Sequence, residues 1–100
     1  MKLRVKGNSL RLRLTRSEVA RLGAGEPVEE STEFAPGQIL RYGIRSGDDS
    51  DGLRASFESG LALVTVAGKR IQQWASSDEV GIYGASSALD IAIDKDFRCL

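Results

Sequence analysis

Residues 2–14 read Lys-Leu-Arg-Val-Lys-Gly-Asn-Ser-Leu-Arg-Leu-Arg-Leu, with basic and aliphatic side chains alternating on both sides of a tight-turn signal. A period of two fits an extended strand and not a helix, because successive side chains of a strand point to opposite faces. Gly7-Asn8 tolerates positive φ, so the two runs read as a hairpin. Leu3, Val5, Leu10, Leu12 and Leu14 then share one face, and Lys2, Arg4, Lys6, Arg11 and Arg13 share the other. The hairpin therefore needs a cover for its apolar face and a counter-charge for its basic one.

The remaining chain repeats this grammar. Thr15-Arg16-Ser17-Glu18 is a capping box, and Val19 and Leu22 follow at helical spacing before Gly23 and Gly25, so a helix is expected over 16–22. Strands are expected over 28–34 and 38–45 around Pro36-Gly37, with a loop over 46–52. A second hairpin spans 53–58 and 61–66 across Ser59-Gly60, a second short helix over 69–75 carries Ile71 and Trp74 inward, and the last strands cover 80–83 and 89–93. A shift of 52 positions pairs Leu12 with Val64, Leu14 with Val66, Val19 with Ile71, Leu22 with Trp74, Val28 with Val80 and Ile39 with Ile91. Two pseudo-duplicated ββαββ units over about 1–46 and 53–98 are expected. Together they would make one mainly β domain (α+β class) over 1–100, as packed sheets or a small barrel. Barrel closure is the favoured form, since it would remove the exposed edges of eight short strands. The expected core is Leu12, Leu14, Val19, Leu22, Val64, Val66, Ile71, Trp74, Val80 and Ile91.

An apolar fraction of 41% and a charged fraction of 28% describe a globular chain. No apolar run approaches a membrane span, and the basic start lacks the apolar stretch of a signal peptide, so a cytoplasmic protein is expected. The single Cys99 excludes an internal disulfide and agrees with a reducing compartment. Net charge is zero but unevenly spread: Lys2, Arg4, Lys6, Arg11, Arg13, Arg16 and Arg21 face only Glu18 within residues 1–24, whereas residues 26–51 are acidic. That asymmetry marks either a polyanion-binding surface or basic and acidic strands that lie side by side. Glu29, Glu30 and Glu33 against Arg11 and Arg13 would be the internal solution.

Motifs for chemistry are sparse. The chain has no histidine, which removes the commonest general base and metal ligand. Asp48-Asp49-Ser50-Asp51-Gly52 lacks the twelfth-position glutamate of a calcium loop, where Ser59 stands. Gly60 to Lys69 has glycines too far apart for a phosphate loop, with Arg70 where Ser or Thr belongs. Trp74 sits on an apolar helix face and reads as core.

The stretch from Val64 to Trp74, with Asp78-Glu79-Val80-Gly81-Ile82 and Leu89-Asp90-Ile91-Ala92-Ile93, resembles the swapped-hairpin transcription regulators and antitoxins. That resemblance implies a DNA-binding homodimer using basic residues near an amino-terminal hairpin, where the Lys and Arg residues of 2–16 stand here. The whole chain also resembles a group of small uncharacterised bacterial proteins. They begin Lys-x-Arg-x-Lys-Gly-Asn-Ser and end Lys-Asp-Phe-x-Cys-Leu, matched by Lys2 to Ser9 and Lys95 to Leu100.

The expectation is a non-catalytic binding domain, with no cofactor and no metal. Its weak site for nucleic acid or another polyanion would lie on Lys2, Arg4, Lys6, Arg11, Arg13 and Arg16. A protein–protein or structural module, or an enzyme of unrecognised type, are the alternatives. The patch has no aromatic side chain for base stacking and only Asn8 for base edges, which limits sequence-specific readout.

Overall fold

A computed structural model describes residues 1–97. Its elements are β1 (Lys2–Lys6), β2 (Ser9–Leu14), α1 (Arg16–Gly23), β3 (Val28–Ala35), β4 (Gln38–Gly47), β5 (Leu53–Glu58), β6 (Leu61–Ala67), α2 (Gly68–Ala75), β7 (Gly81–Ser86) and β8 (Leu89–Lys95). The helices start 52 positions apart, as do β2 and β6. Thr15 and Glu18 form the expected capping box on α1: the Thr15 amide donates to Glu18 Oε1 at 2.9 Å and the Glu18 amide to Thr15 Oγ1 at 3.3 Å. Residue 67, at the same place before α2, is alanine and supplies no side-chain cap.

The strands divide into two four-stranded sheets, so of the two expected forms the packed sheets are found and the closed barrel is not. The first sheet runs β1-β2-β8-β7 and the second β3-β4-β6-β5. Each sheet takes the first hairpin of one unit and the second hairpin of the other, joined by a central parallel pair, β2 with β8 and β4 with β6. Hydrogen bonding continues no further, so β1, β7, β3 and β5 stay at edges. Where a barrel would need a β5–β7 ladder, the Ala55 amide donates to Ser86 Oγ at 3.0 Å and Leu53 occupies the space above Gly84.

Between the sheets and helices lie Leu12, Leu14, Val19, Leu22, Val28, Ile44, Val64, Val66, Ile71, Trp74, Ile82, Ile91 and Ile93, all buried. Trp74 donates its indole N–H to the Val80 carbonyl at 3.2 Å, which satisfies the one polar atom of a fully buried ring. One expected core position fails: Val80 is 63% exposed. Ile39, matched to the buried Ile91 by the shift of 52, is itself 48% exposed, because that register holds only as far as the ends of the helices. Leu12 pairs with Ile93 and Val64 with Ile44, so β4 maps onto β8 with a shift of 49. Val28 pairs with Ile44 and Ile82 with Ile93, so the counterpart of Val28 is Ile82, 54 positions on. The link from α2 to β7 is longer and the last hairpin is shorter than their counterparts. Ile91 is buried as expected, but its counterpart is Tyr42.

No helix among the described residues is long and apolar enough to cross a membrane.

Candidate nucleic-acid or anion interface

Alternation along β1 and β2 puts Lys2, Arg4, Lys6, Arg11 and Arg13 on the outer face of the first sheet, with Lys2 opposite Arg13 and Arg4 opposite Arg11. Their aliphatic partners turn inward to different depths. Leu12 and Leu14 are buried, while Val5, near the hairpin turn on the edge strand, is 65% exposed. Arg16 does not join this face. It stands in the first turn of α1 with its guanidinium 4.4 Å from the centre of the Phe97 ring.

The counter-charge comes from a different strand than the acidic segment 26–34. Arg11 Nε lies 3.2 Å from Asp94 Oδ2, Lys2 Nζ 3.2 Å from Asp96 Oδ2, and Arg13 3.4 Å from Asp96 Oδ1. The parallel register sets this up, since Arg13 pairs with Asp94 and Ser9 with Asp90 across β2 and β8. The glutamates expected to neutralise the hairpin face elsewhere: Glu29 lies 3.6 Å from Arg41, Glu30 2.5 Å from the Met1 amino group, and Glu33 accepts from the Gly37 amide. A parallel contact between strands some 80 positions apart leaves no local trace. The only hint was Asp90 and Asp94 alternating with Ile91 and Ile93.

Neutralisation is incomplete. Arg4 and Lys6 form no ion pair among the described residues, although both are exposed. With Arg11 and Tyr83 they border an open depression of about 510 Å³ on the sheet's outer face, and Asp90 also lines it. Tyr83 is 62% exposed and folds back over Gly81, where any Cβ would collide with its ring, its hydroxyl and Asp94 Oδ1. The hydrogen-bonding approach of its hydroxyl to Asp94, with smaller effects of burial and the Asp94 charge, holds the Tyr83 phenol above its ordinary range. That contact is loose, since Asp94 Oδ1 has no well-formed hydrogen bond among the described residues.

The other features singled out in the sequence are internally occupied. Asp51 accepts from the Asp48 amide at 2.6 Å and pairs with Arg54 at 3.1 Å, and Asp49 pairs with Lys69 at 3.1 Å. The acidic turn is therefore tied to β5 and α2, and Lys69 is engaged there rather than at a phosphate site. Among the described residues no three acidic, histidine or cysteine side chains cluster as metal ligands do. Cys99 lies outside the described residues.

The chain matches, over residues 1–100, the model of a family described as a family of unknown function (DUF7009), and it belongs to that family. No curated protein and no solved structure matches it.

Proposed function

We propose that this chain is a non-catalytic binding module whose β1 row takes an anion from outside its own fold. The observation that carries this reading is the contrast along the hairpin: Lys2, Arg11 and Arg13 each face an aspartate, whereas Arg4 and Lys6 face none among the described residues. Like charges directly opposite each other destabilise a hairpin, and the Arg4–Arg11 pair is only half relieved by Asp94. An external phosphate, sulfate or carboxylate group at Arg4 and Lys6 would relieve the remainder. The working site is thus narrower than the six cations the sequence suggests. Arg16 stacks on Phe97 elsewhere, and Arg13 and Lys2 serve Asp96. The lone cysteine and the absence of disulfide chemistry favour a cytoplasmic setting.

Binding to heparin and to duplex DNA at about 50 mM salt, where counter-ion release is most favourable, tests the site. The wild-type chain is expected to bind both weakly, with dissociation constants of order 10⁻⁴–10⁻⁶ M that weaken as salt rises. Arg4→Gln with Lys6→Gln should abolish binding, and Arg13→Gln should change it little. A wild-type chain that is monomeric under these conditions and binds neither probe overturns the reading.

A further inference from the structure

We propose that the anion taken by β1 is the acidic edge strand β3 of a second copy of this chain, so that two copies pair edge to edge. This rests on the reading above, that Arg4 and Lys6 take an external anion. Both strands are sheet edges with one side of the backbone unpaired in the ladder, β1 in the first sheet and β3 in the second. Such an edge is a template for another strand. Their outer rows are complementary: Lys2, Arg4 and Lys6 on β1, and Glu29, Ser31 and Glu33 on β3. When one sheet continues into another with both cores kept on the same side, outer faces meet outer faces, so the basic row would run alongside the acidic one.

The exposed apolar side chains agree with this. β1 offers Val5, 65% exposed, and β3 offers Phe34, 73% exposed at the irregularity between Glu33 and Ala35. Each would be covered by the joining strand. Pairing β1 with β1, or β3 with β3, would instead set like charges against each other, which costs rather than gains. Charge thus selects the mixed pair. The existing contacts of the β3 glutamates are weak competitors, because the Glu29–Arg41 pair is half-exposed on both sides at 3.6 Å.

The two edges begin close together. The Met1 amino group reaches Glu30, which places the start of β1 beside β3 on one side of the molecule. A two-fold axis on that side would bring β1 of each copy to β3 of the other and close the assembly as a dimer. The opposite side offers no equivalent, since β5 and β7 are tied to each other through Ala55, Ser86, Leu53 and Gly84.

The test is sedimentation of the full chain over a range of concentrations at low and high salt. A dimer is expected whose dissociation constant rises with salt. The variants Arg4→Glu/Lys6→Glu and Glu29→Lys/Glu33→Lys should each weaken it at least about tenfold, a loss of about 1.4 kcal/mol. Mixing the two variants should restore a dimer containing one copy of each, because each reversed edge then meets its complement. Circular dichroism checks that the variants fold, and the neutral Arg4→Gln/Lys6→Gln pair, expected to weaken the dimer in the same direction, replaces a charge-reversed chain that does not. A wild-type monomer at every concentration, or a mixture that stays monomeric, overturns the proposal. Heparin binding by such a monomer sinks the second-copy partner and leaves the anion site standing. A chain that neither binds heparin nor self-associates fails at the site itself.

Discussion

Across the central pair of the first sheet Arg13 meets Asp94, and at the corresponding place in the second sheet Thr65 meets Arg45. In the second sheet the two register partners touch, Arg45 Nε donating to Thr65 Oγ1 at 3.3 Å, whereas in the first Arg13 reaches past Asp94 to Asp96, and the cation stands on the other strand. The edge rows differ more. Lys2, Arg4 and Lys6 on β1 correspond to Arg54, Ser56 and Glu58 on β5. Inside, the same comparison finds like against like: Leu12 with Val64, Leu14 with Val66, Ile93 with Ile44, Ile82 with Val28. Close packing restricts the inner faces to aliphatic side chains of similar volume, while the outer faces are free to diverge. The open cationic row is therefore a property of one sheet and not of the layout.

The comparison breaks most readily at the helices. Trp74→Ala removes a fully buried indole and should cost about 3–5 kcal/mol, and Leu22→Ala at its counterpart about 2–5 kcal/mol, both measured by chemical denaturation. An unchanged midpoint for either would mean that the two units do not share one core.

Next in size is Gly43, on the outer face of β4, where the first sheet has Ala92. A Cβ there would stand 2.8 Å from the Val28 carbonyl oxygen, a backbone atom that cannot swing aside. Gly43→Ala should cost about 1–3 kcal/mol by overpacking. A neutral result would show that β3 lies less tightly on β4 than β7 does on β8.

The helix starts give a smaller contrast. Thr15→Ala should cost about 1 kcal/mol, and Ala67→Ser at the uncapped start of α2 should add a comparable amount. Equal losses on Thr15→Ala and Ala67→Gly would remove the distinction between them.

Smallest is a pH effect. Residue 18 is glutamate three positions into α1, and its counterpart in α2 is Arg70, which forms two 2.8 Å hydrogen bonds with Glu79. Burial raises the Glu18 carboxyl, but hydrogen bonds from the Met1 amino group and from Thr15 outweigh it, and the net direction is down. A lowered folded-state value means that ionised Glu18 stabilises the fold above its ordinary range and that this is lost as pH falls through the lower value. Thermal melts of Glu18→Gln should thus converge with those of wild type on acidification. Parallel curves would show that the carboxylate is not the titrating cap.

How much of this was legible follows from the range of each contact. The first hairpin, the capping box and the two helices are written within windows of a dozen residues, and the doubled layout follows from setting such windows side by side 52 positions apart. Val80 and Ile39 were misplaced because an offset valid for α1 and α2 was extended across a longer link and a shorter hairpin. The cationic face was legible too. Its partial neutralisation by Asp94 and Asp96 was not, since it depends on β8 lying parallel to β2, a choice made by packing and not by local pattern.

That parallel pairing also sets an order of events. The middle of the first sheet joins Ser9 to Asp90, so it has no ladder until nearly all of the chain has left the ribosome. Loop closure over such a separation is costly before any contact repays it, and folding dominated by distant strand pairs is slow. The second sheet has β3, β4, β5 and β6 available earlier, but its core face waits for Ile82, Ile91 and Ile93. Neither ββαββ unit completes a sheet alone. A chain stopped after the first would expose Leu12, Leu14 and Ile44, and could cover them only with strands borrowed from another molecule.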